Sequence, residues 1–179
     1  ILSPPVLAIS FPDQSNLHNM GIASDGFFYY TCDGGNAGAG RISTFDLSGN
    51  LVRRIPCNLD MRALLWNRSD GLLYAKTYEG DLWRVDPLTG AATLVHAGMF
   101  AFSQSSPAIT SNGLTILEHE SGLIRFLDFS SGALLNTMTG FAYGGYPSNE
   151  ALGVSNNRIY TWDGSMTSVY DFAGNLIES

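Results

Sequence analysis

The sequence predicts an all-β fold, and two observations carry that prediction. A short segment that ends a strand and then turns occurs four times in the 179 residues, at 45–51, 85–91, 127–133 and 170–176. No stretch has the hydrophobic period of an amphipathic helix. The aspartates of this repeat segment are 40, 42 and 43 residues apart. A hairpin-rich repeat of about this length is typical of β-propeller blades, so we predict four blades of four-stranded antiparallel sheet.

The repeat segment itself has a simple structural explanation. Each copy places an aspartate at the end of a strand and a glycine three or four residues later. The aspartate carboxylate can accept hydrogen bonds from the backbone N–H groups of the turn, and glycine adopts the positive φ that such a turn requires. We therefore predict that Asp46, Asp86, Asp128 and Asp171 are turn residues and not catalytic groups.

Strand and turn signals divide each repeat in the same way. In the first blade, the predicted strands are residues 20–24, 27–32, 41–46 and 51–56, and Asp25-Gly26 is the first hairpin turn. The corresponding turns in the later blades are Asp70-Gly71, Asn112-Gly113 and Asn156-Asn157. The predicted blades, within one domain of residues 1–179, cover residues 17–57, 58–99, 103–140 and 148–179.

One further strand precedes the first blade. Residues 6–11 have a strand pattern, and the last blade ends before its outer strand is complete. We expect this N-terminal strand to complete the last blade, because closure would remove a bare strand edge. Two alternatives stay open, namely an eight-bladed ring of two chains and a piece of a larger propeller.

The blade pattern resembles that of a known class. The stretch Leu82-Trp83-Arg84-Val85-Asp86-Pro87-Leu88-Thr89-Gly90 resembles blades of quinoprotein-like and NHL-type propellers. The likeness covers nearly the whole chain, at the level of strand and turn spacing. It implies the fold, whereas the quinone and calcium motifs of the enzymes in that class are not found here.

Composition limits the partners that we expect. The net charge is −7, and Lys76 is the only lysine. Binding of nucleic acids and of anionic membranes is disfavoured, because both need clustered positive charge. No apolar run approaches the ~20 residues that cross a bilayer. The chain opens at Ile1 and not at Met, so a targeting segment could have been removed before this residue. We expect an extracytoplasmic location.

One acidic residue stands at the end of the second strand of each predicted blade, four in all. They are expected in a rough ring on one face, where a hard cation such as calcium would be attracted: Asp33, Glu79, Glu120 and Asp163. The alternative is that each is an ordinary turn residue before glycine. Cys32 and Cys57, which lie on different strands of one blade, are expected to be partly buried thiols and not a metal site.

A second group of polar residues precedes the inner strands. His18, Asp60, Arg62, Asn149 and Glu150 are expected at the mouth of the central channel, and Tyr143 and Tyr146 are expected to contact a ligand nearby. We predict a non-catalytic module, monomeric or homodimeric, that binds a protein, peptide or glycan on this loop face, without a cofactor. The alternatives are a metal-dependent hydrolase that loosely resembles gluconolactonase-like propellers, and a structural domain of a larger protein.

Overall fold

The computed structural model describes residues 18–34, 40–144 and 151–179, and these residues form strands and turns. Within these described ranges, sixteen strands make four antiparallel sheets of four strands each, with the strands of every sheet in chain order. The four sheets are the blades of a four-bladed β-propeller, as the sequence predicts. In the described part of the chain, no helix has the length and apolar character that a bilayer crossing requires.

The first two sheets consist of strands β1 to β8. They are His18–Ser24, Phe28–Gly34, Arg41–Asp46, Leu51–Pro56, Met61–Asn67, Leu72–Thr77, Leu82–Val85 and Ala92–His96. The last two sheets consist of β9 to β16. They are Ser106–Ile109, Thr115–Glu120, Leu123–Asp128, Leu134–Thr139, Ala151–Ser155, Arg158–Trp162, Thr167–Asp171 and Leu176–Glu178.

The repeat segments are turns held by their aspartates, which confirms the prediction. Asp46 Oδ1 accepts hydrogen bonds from the backbone N–H groups of Ser48 and Asn50, both at 2.9 Å, and Gly49 has a φ of 84°. In the third segment, hydrogen bonds from the residues at 130 and 131 lower the pKa of Asp128 to about 2. These carboxylates are committed to their own turns.

The first hairpin turn of the first sheet is also held by an aspartate. Asp25 Oδ1 accepts from the N–H groups of Phe27 and Phe28, each at 2.7 Å. These bonds hold Phe27 in the turn, so β2 begins at Phe28 and not at the predicted Phe27. In the fourth sheet, Asn156 and Asn157 have φ values of 50° and 56°. Two consecutive left-handed residues are what a two-residue hairpin of type I′ needs.

The outer strand of the fourth sheet comes from the C-terminal segment. Strand β16 pairs with β15 through Val169 with Glu178 and Tyr170 with Leu176. The predicted strand at residues 6–11 lies outside the described residues, so its pairing with the last blade stays a prediction. Within the described part of the chain, the fourth sheet already has four strands.

The strands belong to two compact units, one up to Ser103 and one from Gln104 onwards. We call the first the N-terminal pair, since it holds the first two sheets, and the second the C-terminal pair. The N-terminal pair packs its sheets through a core made of Tyr30, Cys32, Ile42, Cys57, Met61, Leu64, Leu73, Ala75 and Val85. The C-terminal pair has its own core, made of Leu117, Ile124, Phe126, Phe141, Ile159 and Tyr170.

Small residues let the two sheets of the N-terminal pair approach closely. A Cβ added to Gly21 of β1 would lie 2.8 Å from Ala63 Cα, and one added to Gly34 of β2 would clash with the Met61 carbonyl oxygen. Alternate residues of β2, Tyr30 and Cys32, therefore face the second sheet and join its core. This packing positions the site described below.

Candidate functional site

The predicted ligand residues Asp60 and Arg62 contact each other. Arg62 Nη2 donates to Asp60 Oδ2 over 3.0 Å, and both side chains are largely buried. The Arg62 guanidinium also lies over the ring of Tyr78, 4.7 Å from its centroid. The charge of Arg62 is thus balanced within the protein, which reduces its capacity to bind a ligand.

The structure describes only part of the remaining predicted ligand residues. Tyr143 is exposed, and its ring packs close to Gly122. The backbone of His18 starts β1 and pairs with Gly34, whereas its side chain is outside the described part. Tyr146, Asn149 and Glu150 lie outside the described residues. The predicted convergence of this group at a channel mouth stays a prediction.

The four predicted cation ligands occupy different environments. Asp33 is fully buried, and its Oδ2 accepts from Arg41 Nε at 2.9 Å. Asp163 accepts the N–H groups of its own turn, and Glu79 is exposed in the turn beyond β6. Glu120 is half-buried at the end of β10.

No three His, Cys, Asp or Glu side chains of the described ranges come together in a way that could hold a metal ion. Asp33 and Asp163 already have other partners, an arginine and a turn. Calcium binding by the four carboxylates stays a prediction.

In the C-terminal pair of sheets, Glu118 and Arg125 form an ion pair. Glu118 of β10 is fully buried, and Arg125 Nη1 of β11 donates to its Oε2 over 2.6 Å. Ser105 Oγ donates to the other carboxylate oxygen, also at 2.6 Å. Since Glu118 and Ser105 are buried and Arg125 is largely covered, the arrangement satisfies the carboxylate inside the fold and does not present it to a substrate.

His119, next to Glu118 in β10, is also fully buried. Burial disfavours the charged imidazolium and lowers the pKa of His119 from 6.5 to about 4. The folded protein therefore binds fewer protons than the unfolded chain between these two pH values, and we expect stability to fall as the pH drops through this window.

We expect His119→Gln to flatten this part of the stability profile, because glutamine does not titrate. Urea unfolding of the wild type and the variant between pH 7.5 and pH 4 measures the difference, and NMR titration of the imidazole gives its pKa directly. A folded-state pKa of His119 near 6.5 would contradict the expectation.

The two cysteines are free thiols, as predicted, and they are fully buried where partial burial was expected. Burial raises the pKa of Cys57 to about 11 and also raises that of Cys32. Both groups are therefore thiols at neutral pH, and thiols are weak nucleophiles and weak metal ligands. They act as core residues of the N-terminal pair.

A pocket that the sequence analysis did not identify opens between the two sheets of the N-terminal pair. It has a volume of about 430 Å³ and lies at the end of the sheets that carries the first hairpin turns and the repeat segments. Its lining residues include Tyr30, Trp66, Leu73, Val85, Pro87 and Leu88. A largely apolar, concave surface of this size is suited to holding a side chain of a ligand.

Two aromatic rings form one side of the pocket. Tyr30 of β2 and Trp66 of β5 are stacked, with ring centroids 6.1 Å apart and ring planes at 16°. The Tyr30 hydroxyl donates to Asp25 Oδ2 over 2.6 Å, which fixes the position of the ring. Burial and this hydrogen bond raise the pKa of Tyr30, so the phenol stays neutral.

The repeat segment of the second sheet forms the rim. Asp86 Oδ1 accepts from the Leu88 N–H at 2.8 Å, and Oδ2 accepts from Thr89 Oγ1 at 2.6 Å. These bonds fix the backbone that presents Pro87 and Leu88, and 65% of Leu88 is exposed. An exposed leucine on a rigid turn beside an apolar pocket is a suitable contact for a partner.

The sequence contained one signal of this pocket. All four repeat segments have an apolar residue or proline directly after the aspartate, and only the second continues with a large aliphatic residue, Leu88, where the others have serine or alanine. Solvated turns are usually polar, so two apolar residues there indicate a contact. The functional residues predicted from the sequence belong to the opposite ends of the strands, so this pocket was not predicted.

Comparisons with known proteins identify the fold. The computationally designed Ika4 protein is 16% identical, with a TM-score of 0.50, over 92% of this chain and 96% of that one. U3-55K is 13% identical, with a TM-score of 0.60, over 98% of this chain and 55% of that one. A protein of unknown function from Bacteroides thetaiotaomicron is 12% identical, with a TM-score of 0.66, over 93% of this chain and 44% of that one. At these identities, the likeness shows the β-propeller fold alone.

No family model and no curated protein matches the chain. The chain spans about half the length of U3-55K and of the Bacteroides protein, 55% and 44%. Since similar folds carry unrelated functions, the site has to carry the functional argument.

Proposed function

We propose that the protein is a non-catalytic binding module that holds a protein or peptide segment in the pocket of the N-terminal pair. The observation that carries this proposal is the apolar pocket of about 430 Å³ between the first two sheets, with the stacked Tyr30 and Trp66 on one side and Leu88 on its rim. Stacked aromatic rings beside aliphatic walls are typical anchoring surfaces in protein interfaces.

The polar groups around the pocket support binding and not catalysis. The carboxylates of Asp25 and Asp86 accept hydrogen bonds from their own turns, and the Tyr30 phenol donates to Asp25. Burial raises the pKa of Asp25, but hydrogen bonds from Tyr30 and from its own turn outweigh it and lower that pKa. Hydrogen bonds from Thr89 and Leu88 lower the pKa of Asp86, so both groups are carboxylates with oxygens that already accept hydrogen bonds. A general base needs an accessible atom within reach of a substrate proton, and these groups do not supply one.

Two finer hypotheses remain from the sequence. The metal-dependent hydrolase needs Asp60 together with His18, Asn149 and Glu150, and Asp60 is bonded to Arg62. The kinship with quinoprotein-like and NHL-type blades is a hypothesis about ancestry that rests on strand and turn spacing. The loop face as the ligand surface, with Tyr143 and Tyr146, is replaced in our proposal by the pocket at the opposite ends of the strands.

The proposal predicts the effect of a substitution on the rim. A library of random linear dodecapeptides displayed on phage is selected against the wild-type protein, and the selected peptides are synthesised. We expect Leu88→Ser to weaken their binding by about tenfold or more, because the buried part of a leucine contributes about 1.5–3 kcal/mol. Isothermal titration calorimetry measures the dissociation constants.

Leu114→Ser is the matched control. Leu114 lies in the first hairpin turn of the third sheet and is 62% exposed, close to the 65% of Leu88. It should leave binding unchanged. A failure to select any binding peptide, or peptides that bind Leu88→Ser as tightly as the wild type, would overturn the proposal.

A further inference from the structure

Arg53 of β4 lies on the side of the first sheet that faces the pocket. Residues paired directly across antiparallel strands point to the same face. The register pairs Tyr30 with Thr44, and Thr44 with Arg53. Since Tyr30 packs against the second sheet, Arg53 is directed towards that sheet as well.

Electrostatic effects agree with this placement. The positive charge of Arg53 contributes to lowering the pKa of Asp86 and opposes the rise in the pKa of Tyr30. Both of these residues line the pocket. The guanidinium is therefore within electrostatic range of a ligand that rests against Tyr30.

Two exposed arginines lie near this rim, Arg84 and Arg53. Arg84 lines the pocket, but it pairs across the strands with Tyr74, which alternates with the core residues Leu73 and Ala75, so its side chain starts on the opposite face of the second sheet. The arginine on the face towards the pocket is Arg53.

Arg53 is exposed, and among the described residues its side chain makes no hydrogen bond and no ion pair. The nearby carboxylates of Asp25 and Asp86 accept from their own turns. Its neighbour Arg54 points to the opposite face, where Nε donates to Ser43 Oγ.

We propose that the pocket binds an extended peptide segment in which an apolar side chain stands next to a carboxylate. The apolar side chain would rest between Trp66 and Leu88, and the carboxylate would pair with the Arg53 guanidinium. This inference rests on the proposed function and specifies its partner. The aliphatic walls formed by Leu73, Val85 and Pro87 offer no hydrogen bonds to the hydroxyl groups of a sugar, which favours a peptide over a glycan.

The two parts of the ligand contribute unequally. Burial of the apolar side chain supplies most of the affinity. An exposed charge pair adds little and is screened by salt, so the carboxylate should improve affinity by about two- to fivefold at low ionic strength.

Two capped dipeptides test the inference. N-acetyl-Leu-Asp-amide and N-acetyl-Leu-Asn-amide differ only in the charge of the second side chain, and their dissociation constants are measured by NMR through the indole N–H of Trp66. We expect the Asp peptide to bind the wild type about two- to fivefold more tightly in about 20 mM NaCl, and the difference to vanish in about 500 mM NaCl. Arg53→Gln should bind both peptides equally, while Arg158→Gln, which changes an exposed arginine of β14, should keep the preference.

The outcomes separate this inference from the proposed function. If both peptides bind the wild type equally and Leu88→Ser weakens both, the binding site stands and the preference for a carboxylate is wrong. If the preference persists in Arg53→Gln, the assignment of Arg53 is wrong. If neither peptide shifts the Trp66 signal at millimolar concentration, both the site and its specificity are wrong.

Discussion

Replacing Arg125 with Met is expected to lower the free energy of unfolding by about 3–5 kcal/mol. Glu118 is fully buried, and its Oε2 accepts from Arg125 Nη1 over 2.6 Å. The substitution leaves the carboxylate inside the protein without its guanidinium, and methionine keeps much of the length of the side chain. Urea unfolding followed by circular dichroism measures the loss, provided that the dependence on urea stays the same.

Two variants test whether charge is the cause. Arg158→Met changes an exposed arginine of β14 and should alter stability by no more than about 0.5 kcal/mol. The double variant with Glu118→Gln and Arg125→Met removes both charges and should recover a large part of the loss. A double variant no more stable than Arg125→Met would show that the loss comes from packing.

Replacing Gly90 with Ala should cost about 3 kcal/mol or more, because two penalties coincide. Gly90 has a φ of +75°, a conformation that costs an L-residue about 1–2 kcal/mol. An added Cβ would also clash with the carbonyl oxygen of Pro56, at the end of β4 in the neighbouring sheet. A backbone oxygen can move away only if the two sheets of the N-terminal pair separate, which disturbs the close-packed core between them.

Gly26→Ala separates the two penalties. Gly26 has a φ of +92°, and an added Cβ there would meet nothing within 4 Å. Its cost should be the conformational part alone, about 1–2 kcal/mol, and thermal or urea unfolding of both variants gives the difference. Equal losses for the two variants would mean that the second repeat segment does not pack against the first sheet as described.

The local parts of the fold could be predicted from the sequence with little error. The aspartates of the repeat segments, such as Asp46, bind backbone N–H groups two to four residues away, so the chemistry that forms each turn lies within the turn. The same holds for Asp25, whose bond to Phe27 also explains why β2 begins one residue later than predicted. Four such repeats were enough to predict four sheets.

The candidate site was harder to predict, because contacts between distant strands decide it. Asp60 and Arg62 have the residue types of a ligand site, yet the fold places them against each other and against Tyr78. Asp33 is bonded to Arg41 from the next strand. A sequence shows which side chains can bind a ligand, but not which have already found a partner in the same protein.

By itself, the sequence determined the number of sheets, their strand order and the turns that connect the strands, because those features depend on hydrogen bonds and hydrophobic patterns within a few residues. The tertiary structure decided where a ligand can bind. The pocket exists because Tyr30 of the first sheet stacks on Trp66 of the second while Leu88 stands on a rigid rim. Such a surface arises only when two sheets pack face to face, and the packing depends on the shapes of side chains that are far apart in the chain.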